Sequence, residues 1–183
     1  MPGLPLPADL ARDGVALRRL RGRDAAPFAA AFRDDPGLGP ALLMDEDPSE
    51  GWARRFIASQ ARVRARGDAL ALAVCDAPDG PFLGLVLLHA LAWRHRRAEL
   101  GFWLVPAARG AGRGRAAAGL LADWAFAALP LDRLEMMTTP GNAAALALAE
   151  AIGFEREGVL RSRLRERGRP VDVVMLARLR DSA

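Results

Sequence analysis

One segment constrains this chain more than any other. In Trp103-Leu-Val-Pro-Ala-Ala-Arg-Gly-Ala-Gly-Arg-Gly-Arg-Ala116 an apolar run stops at a proline, three glycines follow at alternate positions, and an alanine-rich stretch begins. A strand, a tight turn and a helix are expected in that order. Alternating glycines let successive backbone N–H groups point into one concavity with no side chain in the way. The helix that follows adds its unpaired N-terminal N–H groups and the positive end of its dipole. Arg109, Arg113 and Arg115 stand ready to add charged contacts. The expected ligand is an anion of the pyrophosphate kind. Two other phosphate loops fail. A P-loop needs a lysine after its last glycine, and the chain contains no lysine. A dinucleotide loop needs Gly-x-Gly-x-x-Gly early in a βαβ unit, whereas Gly110, Gly112 and Gly114 have a different spacing and lie past the middle of the chain.

Punctuation residues divide the rest. Val15 to Leu20 reads as a strand, and Asp24 as the cap of a short helix through about Arg33. Asp47, Pro48 and Glu50 open a longer helix as N-cap, first and third residues, and Gly67 follows its end near Arg66. Trp52, Phe56, Ser59 and Val63 share one face of it, which predicts that Trp52 and Phe56 are core residues. Runs 69–75 and 82–89 flank Asp76-Ala-Pro-Asp-Gly80 as a hairpin, and 99–105 is a further strand. After the glycine loop come a helix 116–129, a strand 133–138, a helix 142–151 and a closing hairpin of 154–162 with 171–177. Early hairpins with a later strand-helix-strand crossover predict a mixed sheet.

The 183 residues, 51% of them hydrophobic, suit one domain over 1–183. The net charge of +4 arises from 26 arginines scattered along the chain, a pattern expected of compositional bias. It carries no aromatic-interleaved basic motif of the RNA-binding kind. A lone Cys75 excludes an internal disulfide framework and any cysteine-rich metal site, and fits a reducing compartment. No apolar run approaches the ~20 residues that span a bilayer, and MPGLPLPADL lacks the pattern of a signal peptide. A cytoplasmic protein with no membrane partner and no metal is expected.

Arg109-x-x-Gly112-x-Gly114 resembles the Arg/Gln-x-x-Gly-x-Gly/Ala signature of the GNAT superfamily of N-acetyltransferases. The flanking text is similar to its RimJ/RimL branch, which acetylates N-termini of ribosomal and other proteins. The similar stretches are Trp93-Arg-His-Arg-Arg-Ala-Glu-Leu-Gly-Phe-Trp-Leu104, Asp123-Trp-Ala-Phe126, Pro140-Gly-Asn142, and Ala151-Ile-Gly-Phe154 with Glu157-Gly-Val-Leu160. The likeness covers about residues 14 to 180. It implies an α/β fold of the α+β type, with a mixed, mostly antiparallel sheet splayed at an acetyl-CoA site and flanked by helices. It further implies acetyl-CoA as cosubstrate, an amine acceptor (a protein N-terminus or a small molecule), and a homodimer as a common assembly. Phe102, Trp103 and Leu104 would lie along the pantetheine arm, largely through backbone groups. Gly110, Ala111, Gly112, Arg113, Gly114 and Arg115 would hold the pyrophosphate with Arg109, and Asn142 would hydrogen-bond the pantetheine region. Asn142 also reads as a helix N-cap, and the two roles are compatible.

Acetyl transfer needs a neutral amine, a stabilised oxyanion and a proton for the leaving thiolate. Glu99 is the candidate base, since similar acetyltransferases place a glutamate there. Pairing with neighbouring Arg96 or Arg97 is an equal reading of the same residue. Glu135, Thr138 and His89 are weaker candidates, and His95 lies in an arginine-rich turn. The family's usual acid positions hold Ala145 and Ala149 here, and the chain has no tyrosine. A non-catalytic acyl-CoA-binding module is therefore the alternative.

Overall fold

The structure, a computed structural model, describes residues 3–7, 10–41, 48–166 and 168–180. Eight strands form one sheet: β1 (Leu10–Arg12), β2 (Val15–Arg19), β3 (Leu70–Cys75), β4 (Gly84–Ala92), β5 (Arg97–Leu104), β6 (Arg133–Thr138), β7 (Glu155–Glu166) and β8 (Arg169–Leu179). Their order across the sheet is β1-β2-β3-β4-β5-β6-β8-β7, and only β5 with β6 runs parallel. Among the described residues five α-helices accompany it: α1 (Ala25–Asp34), the single turn α2 (Leu38–Ala41), α3 (Glu50–Ala65), α4 (Arg113–Ala128) and α5 (Ala143–Ala151). β1 and α2 are too short for a periodic signal in the sequence.

The sheet is covered on both faces, and β3 shows why its residues read as an unbroken apolar run. All six are buried. Leu70, Leu72 and Val74 join the core under α4, together with Val86, Leu88, Leu100 and Leu134. Alternation turns Ala71, Ala73 and Cys75 to the other face, against α1 and α3. The small side chains there leave room for a cluster of rings. Trp103 meets Phe28, Phe32 and Phe82 edge-on, with centroids 5.0, 5.2 and 5.6 Å away. On the opposite face α4 presents Ala117, Ala118, Ala122 and Ala125, all fully buried, so the helix lies close upon the strands.

Two local expectations change. Asp24 does not cap α1. Its backbone is already helical and its side chain makes no cap bond. The carboxylate instead accepts both arms of the Arg18 guanidinium at 2.8 and 2.9 Å and the Arg21 N–H at 2.7 Å. Burial works to raise the Asp24 pKa, but these donors outweigh it and hold it below the ordinary carboxylate value. The cap of α3 is Ser49, whose hydroxyl accepts from Trp52 N at 3.2 Å; Asp47 lies outside the described residues. Gly67, at φ +76°, ends that helix as its sequence position implied.

Candidate active site

β5 and β6 pair over three residues only, Arg97 to Glu99 against Arg133 to Glu135. Beyond them β5 follows β4 to Leu104, while β6 follows β8 to Thr138. The sheet therefore divides just past Glu99, and a cavity of about 990 Å³ opens in the gap. Because side chains alternate along β5, the two sides of the cavity differ. Leu100, Phe102 and Leu104 pack with the α4 core, and Trp103 packs with α1. Glu99 shares the parity of Trp103.

The glycine loop forms the outer rim. Gly110 and Gly112 take φ of +83° and +73°, a region that costs an L-residue ~1–2 kcal/mol. A Cβ at either would meet nothing within 4 Å. The space before the backbone is open. Gly114 is different: a Cβ there would lie 2.9 Å from Leu148, so this glycine lets α5 approach the start of α4. Among the described residues, no protein acceptor takes the N–H of Gly110, Ala111 or Gly112, and the first N–H groups of α4 are unpaired by helix geometry. The donor set suits a diphosphate. Arg109 plays a narrower part than expected. Its Nη2 meets Asp35 at 2.6 Å and its Nε donates to the Leu104 carbonyl at 3.0 Å. It ties the loop to the end of α1 while still lining the cavity. Ala111 and Arg113 do not line the main cavity. The turn of the helix start puts 112 and 115 on one side and 113 on another. Ala111 faces a second cavity of about 470 Å³, shared with Arg115, Asp13 and Asp123, the last held by Arg12 and Arg178. Asn142 caps α5, its Oδ1 accepting from Ala145 N at 3.2 Å, and it lines the main cavity.

At the inner end stands Glu99, only 16% exposed at its side chain. The reading of Glu99 as a partner of Arg96 or Arg97 fails. Arg96 binds Asp132, and Arg97 reaches across the parallel pair to Glu135 at 2.7 Å. With no arginine bonded to it, Glu99 is raised by burial, and secondarily by the charge of Glu135, to about 7, against the weaker opposing charges of Arg163 and Arg97. His89 faces it from β4, with Nε2 3.6 Å from Oε1, beside a bulge between His89 and Ala92. Burial lowers the His89 pKa below 6.5, so the imidazole is neutral at pH 7 and the two form no ion pair there. Thr138 is buried against the cavity, its single lining hydroxyl among the described residues. His95 is exposed in a 3₁₀ turn, and Glu135 is held by Arg97 and Arg133. Ala145 lines the cavity, whereas Ala149 is fully buried in the α4 core.

One wall of the cavity was not expected from the sequence. Phe28, Trp52 and Phe56 line the cavity, so Trp52 and Phe56 are not plain core residues. α3 buries only Ala53, and its aromatic edge overhangs the opening. The signal was present in the small residues Ala71, Ala73 and Cys75, which leave this side of the sheet shallow.

The acetyltransferase (GNAT) domain model matches residues 15–155. The chain belongs to the GNAT acetyltransferase family. It is an N-acetyltransferase, and its fold is the GNAT fold. Similar to it are two Bacillus subtilis proteins, the one named "Putative ribosomal N-acetyltransferase YdaF", 30% identical over 91% of each chain, and the uncharacterized N-acetyltransferase YoaA, 28% identical over 89% of this chain and 92% of that one. Among solved structures, Mycobacterium smegmatis RimJ in complex with CoA-disulfide is 26% identical, with a TM-score of 0.81 over 90% of this chain and 81% of that one. The RimJ/RimL type expected from the motifs agrees with these relatives. No helix among the described residues is long and apolar enough to cross a membrane.

Proposed function

We propose that this N-acetyltransferase moves the acetyl group of acetyl-CoA to a primary amine by direct attack on the thioester, with Glu99 as the base. The observation that carries the reading is one cavity joining the amide-rich glycine loop to a buried, unpaired carboxyl where β5 and β6 separate. The N–H groups from Gly110 to Arg115 hold the diphosphate, and Asn142 uses its Nδ2 for the pantetheine arm. That arm lies along Phe102 to Leu104.

In the reaction, the amine lone pair forms the C–N bond, and the carbonyl oxygen becomes an oxyanion facing backbone N–H groups of β5. The ammonium proton passes to the Glu99 carboxylate, directly or through a water. Collapse breaks the C–S bond. Thr138 donates a hydrogen bond to the departing sulfur, and solvent supplies its proton, because the side chain at 145 has none to give. A base titrating near 7 suits this work: it is ionised often enough to act, and basic enough to accept.

The test is release of free thiol from acetyl-CoA in the presence of N-terminal peptides and small amines. Release that depends on both the amine and Glu99 is expected. The reading is refuted by a panel in which no amine raises thiol release above solvent hydrolysis.

A further inference from the structure

Among the α3 residues, Trp52 and Phe56 stand one helical turn apart, with rings stacked at 5.2 Å and 9° between planes. Phe28 lies 5.9 and 5.8 Å from them and links the stack to the buried ring cluster around Trp103. Trp52 nevertheless remains 36% exposed. All three rings line the cavity, on the side of β5 that carries Glu99. The neighbouring lining residues on that side, Leu85 and Leu87, are apolar. The helix presenting the stack fully buries only Ala53, with Ile57 packed partly buried against the same core cluster. A bare indole edge at the mouth of a reaction cavity is a surface that a flat apolar group would cover, at ~25 cal/mol per Å² plus the ring-stacking gain.

Charge narrows the ligand further. Two carboxylates line the cavity among the described residues, Asp35 and Glu99. Asp35 is held by Arg109 at 2.6 Å, and Glu99 sits beside a neutral imidazole at the reaction end. The cations on the lining, Arg109 and Arg115, belong to the glycine loop. Nothing in this set favours a second ammonium group on the acceptor.

We infer that the acceptor is a primary monoamine bearing an aromatic group close to its nitrogen, seated against Trp52, Phe56 and Phe28 with its amine towards Glu99. The inference rests on the proposed acetyl transfer and adds the acceptor's chemistry to it. An arylalkylamine and a peptide whose first residue is Phe or Trp share that chemistry, and the arms of the test separate them.

The experiment measures kcat/KM at saturating acetyl-CoA for phenethylamine, butylamine and putrescine, and for peptides beginning with Phe or Ser. Phenethylamine is expected to exceed butylamine by about tenfold, the size of one stacked ring with its buried area. Greater preference for the Phe peptide over the Ser peptide assigns the site to protein N-termini; preference confined to the free amines assigns it to small molecules. In Trp52→Ala the aryl-to-alkyl ratio should fall towards one, and Trp52→Phe should restore most of it. Since Trp52 is partly exposed, the alanine variant is expected to fold, and its melting temperature checks this. Calorimetric binding of phenethylamine to wild type and Trp52→Ala gives the same comparison with no turnover required. An unchanged aryl-to-alkyl ratio in Trp52→Ala, or putrescine as the best substrate, overturns the inference while leaving acetyl transfer intact. Absence of thiol release with every amine, butylamine included, refutes the underlying reaction, and the calorimetric arm still decides whether the aromatic wall binds its ligand.

Discussion

Replacing Glu99 by glutamine should make the protein more stable and less active, and the two effects should share one pH dependence. Folded, Glu99 titrates at about 7; unfolded, it returns to its ordinary value of 4.5. Between those values the native state keeps a proton that the unfolded chain has lost, so stability falls as pH rises through the window. At about 1.4 kcal/mol for each tenfold change in acidity, the full penalty is ~3 kcal/mol, and water entry into the open cavity reduces it towards ~1.5 kcal/mol. Glutamine has nearly the same shape and no charge to desolvate. Glu99→Gln should therefore gain ~1.5–3 kcal/mol over wild type at pH 8, with the gain shrinking steadily towards pH 5. Urea unfolding at both values measures this directly. Activity moves the other way. Wild-type kcat/KM should rise through pH 7 as the carboxylate ionises; in the variant that limb disappears and the rate above pH 7 drops by ~10²–10⁴. An equal stability change at pH 5 and pH 8 would show that Glu99 is not a desolvated carboxyl. A loss of stability at pH 8 would show that it is the partner of a cation. Retention of the alkaline limb in the variant would remove Glu99 from the chemistry.

Gly112→Asp should weaken acetyl-CoA binding at least ~100-fold by calorimetry, since it puts a carboxylate before the amide-lined rim and forces φ +73° on an L-residue. Full affinity in that variant contradicts the loop assignment. Asp35→Asn should raise the KM for acetyl-CoA several-fold by loosening Arg109, with a smaller effect on the acceptor KM; equal effects on both would point to a general disturbance. Asp24→Asn leaves the buried Arg18 guanidinium uncompensated and should cost ~3–5 kcal/mol in urea unfolding. Because the Asp24 pKa is depressed, its contribution is present above the ordinary value of 3.8 and is lost as pH falls through the folded value, so the variant and wild type should converge in acid. Thr138→Val keeps the shape of the side chain and should lower kcat about tenfold with little change in KM if the hydroxyl serves the leaving sulfur; an unaltered kcat would exclude that role.

The elements most readable from sequence were those whose signal is local. The strand 133–138 has the expected bounds, and the glycine loop stands between a strand and a helix as its proline and glycines require. The Asn142 cap is present as expected. What sequence could not supply were pairings between distant residues. Arg97 lies next to Ala98 and Glu99 in the chain, yet its guanidinium crosses to Glu135, because the parallel register puts those strands side by side. Arg109 is claimed by Asp35, more than seventy residues earlier. Trp52 and Phe56 follow a helical period that would signal core in an ordinary helix. Whether such a face meets protein or a cavity depends on what the sheet leaves open beneath it.

The alternation of one strand explains how the site can hold two reactants with different demands. β5 is paired on one side along its length with β4 but loses β6 after Glu99. From that point both its faces and its free edge border the same opening. Phe102 and Leu104 face the α4 side, where a helix start and bare amides offer the donors proposed for the cosubstrate's diphosphate. Glu99 and Trp103 face the α1 and α3 side, among rings and a neutral imidazole. A register slip of one residue would exchange these sets, placing the carboxyl among the α4 side chains and leaving the aromatic wall without a base. The parallel pairing of Arg97, Ala98 and Glu99 with Arg133, Leu134 and Glu135 opposes that slip, because in this register the Arg97 guanidinium reaches across to Glu135. That bond also occupies Arg97, so burial and the charge of Glu135 prevail over the attraction of Arg163 and Arg97 and hold the Glu99 carboxyl at about 7.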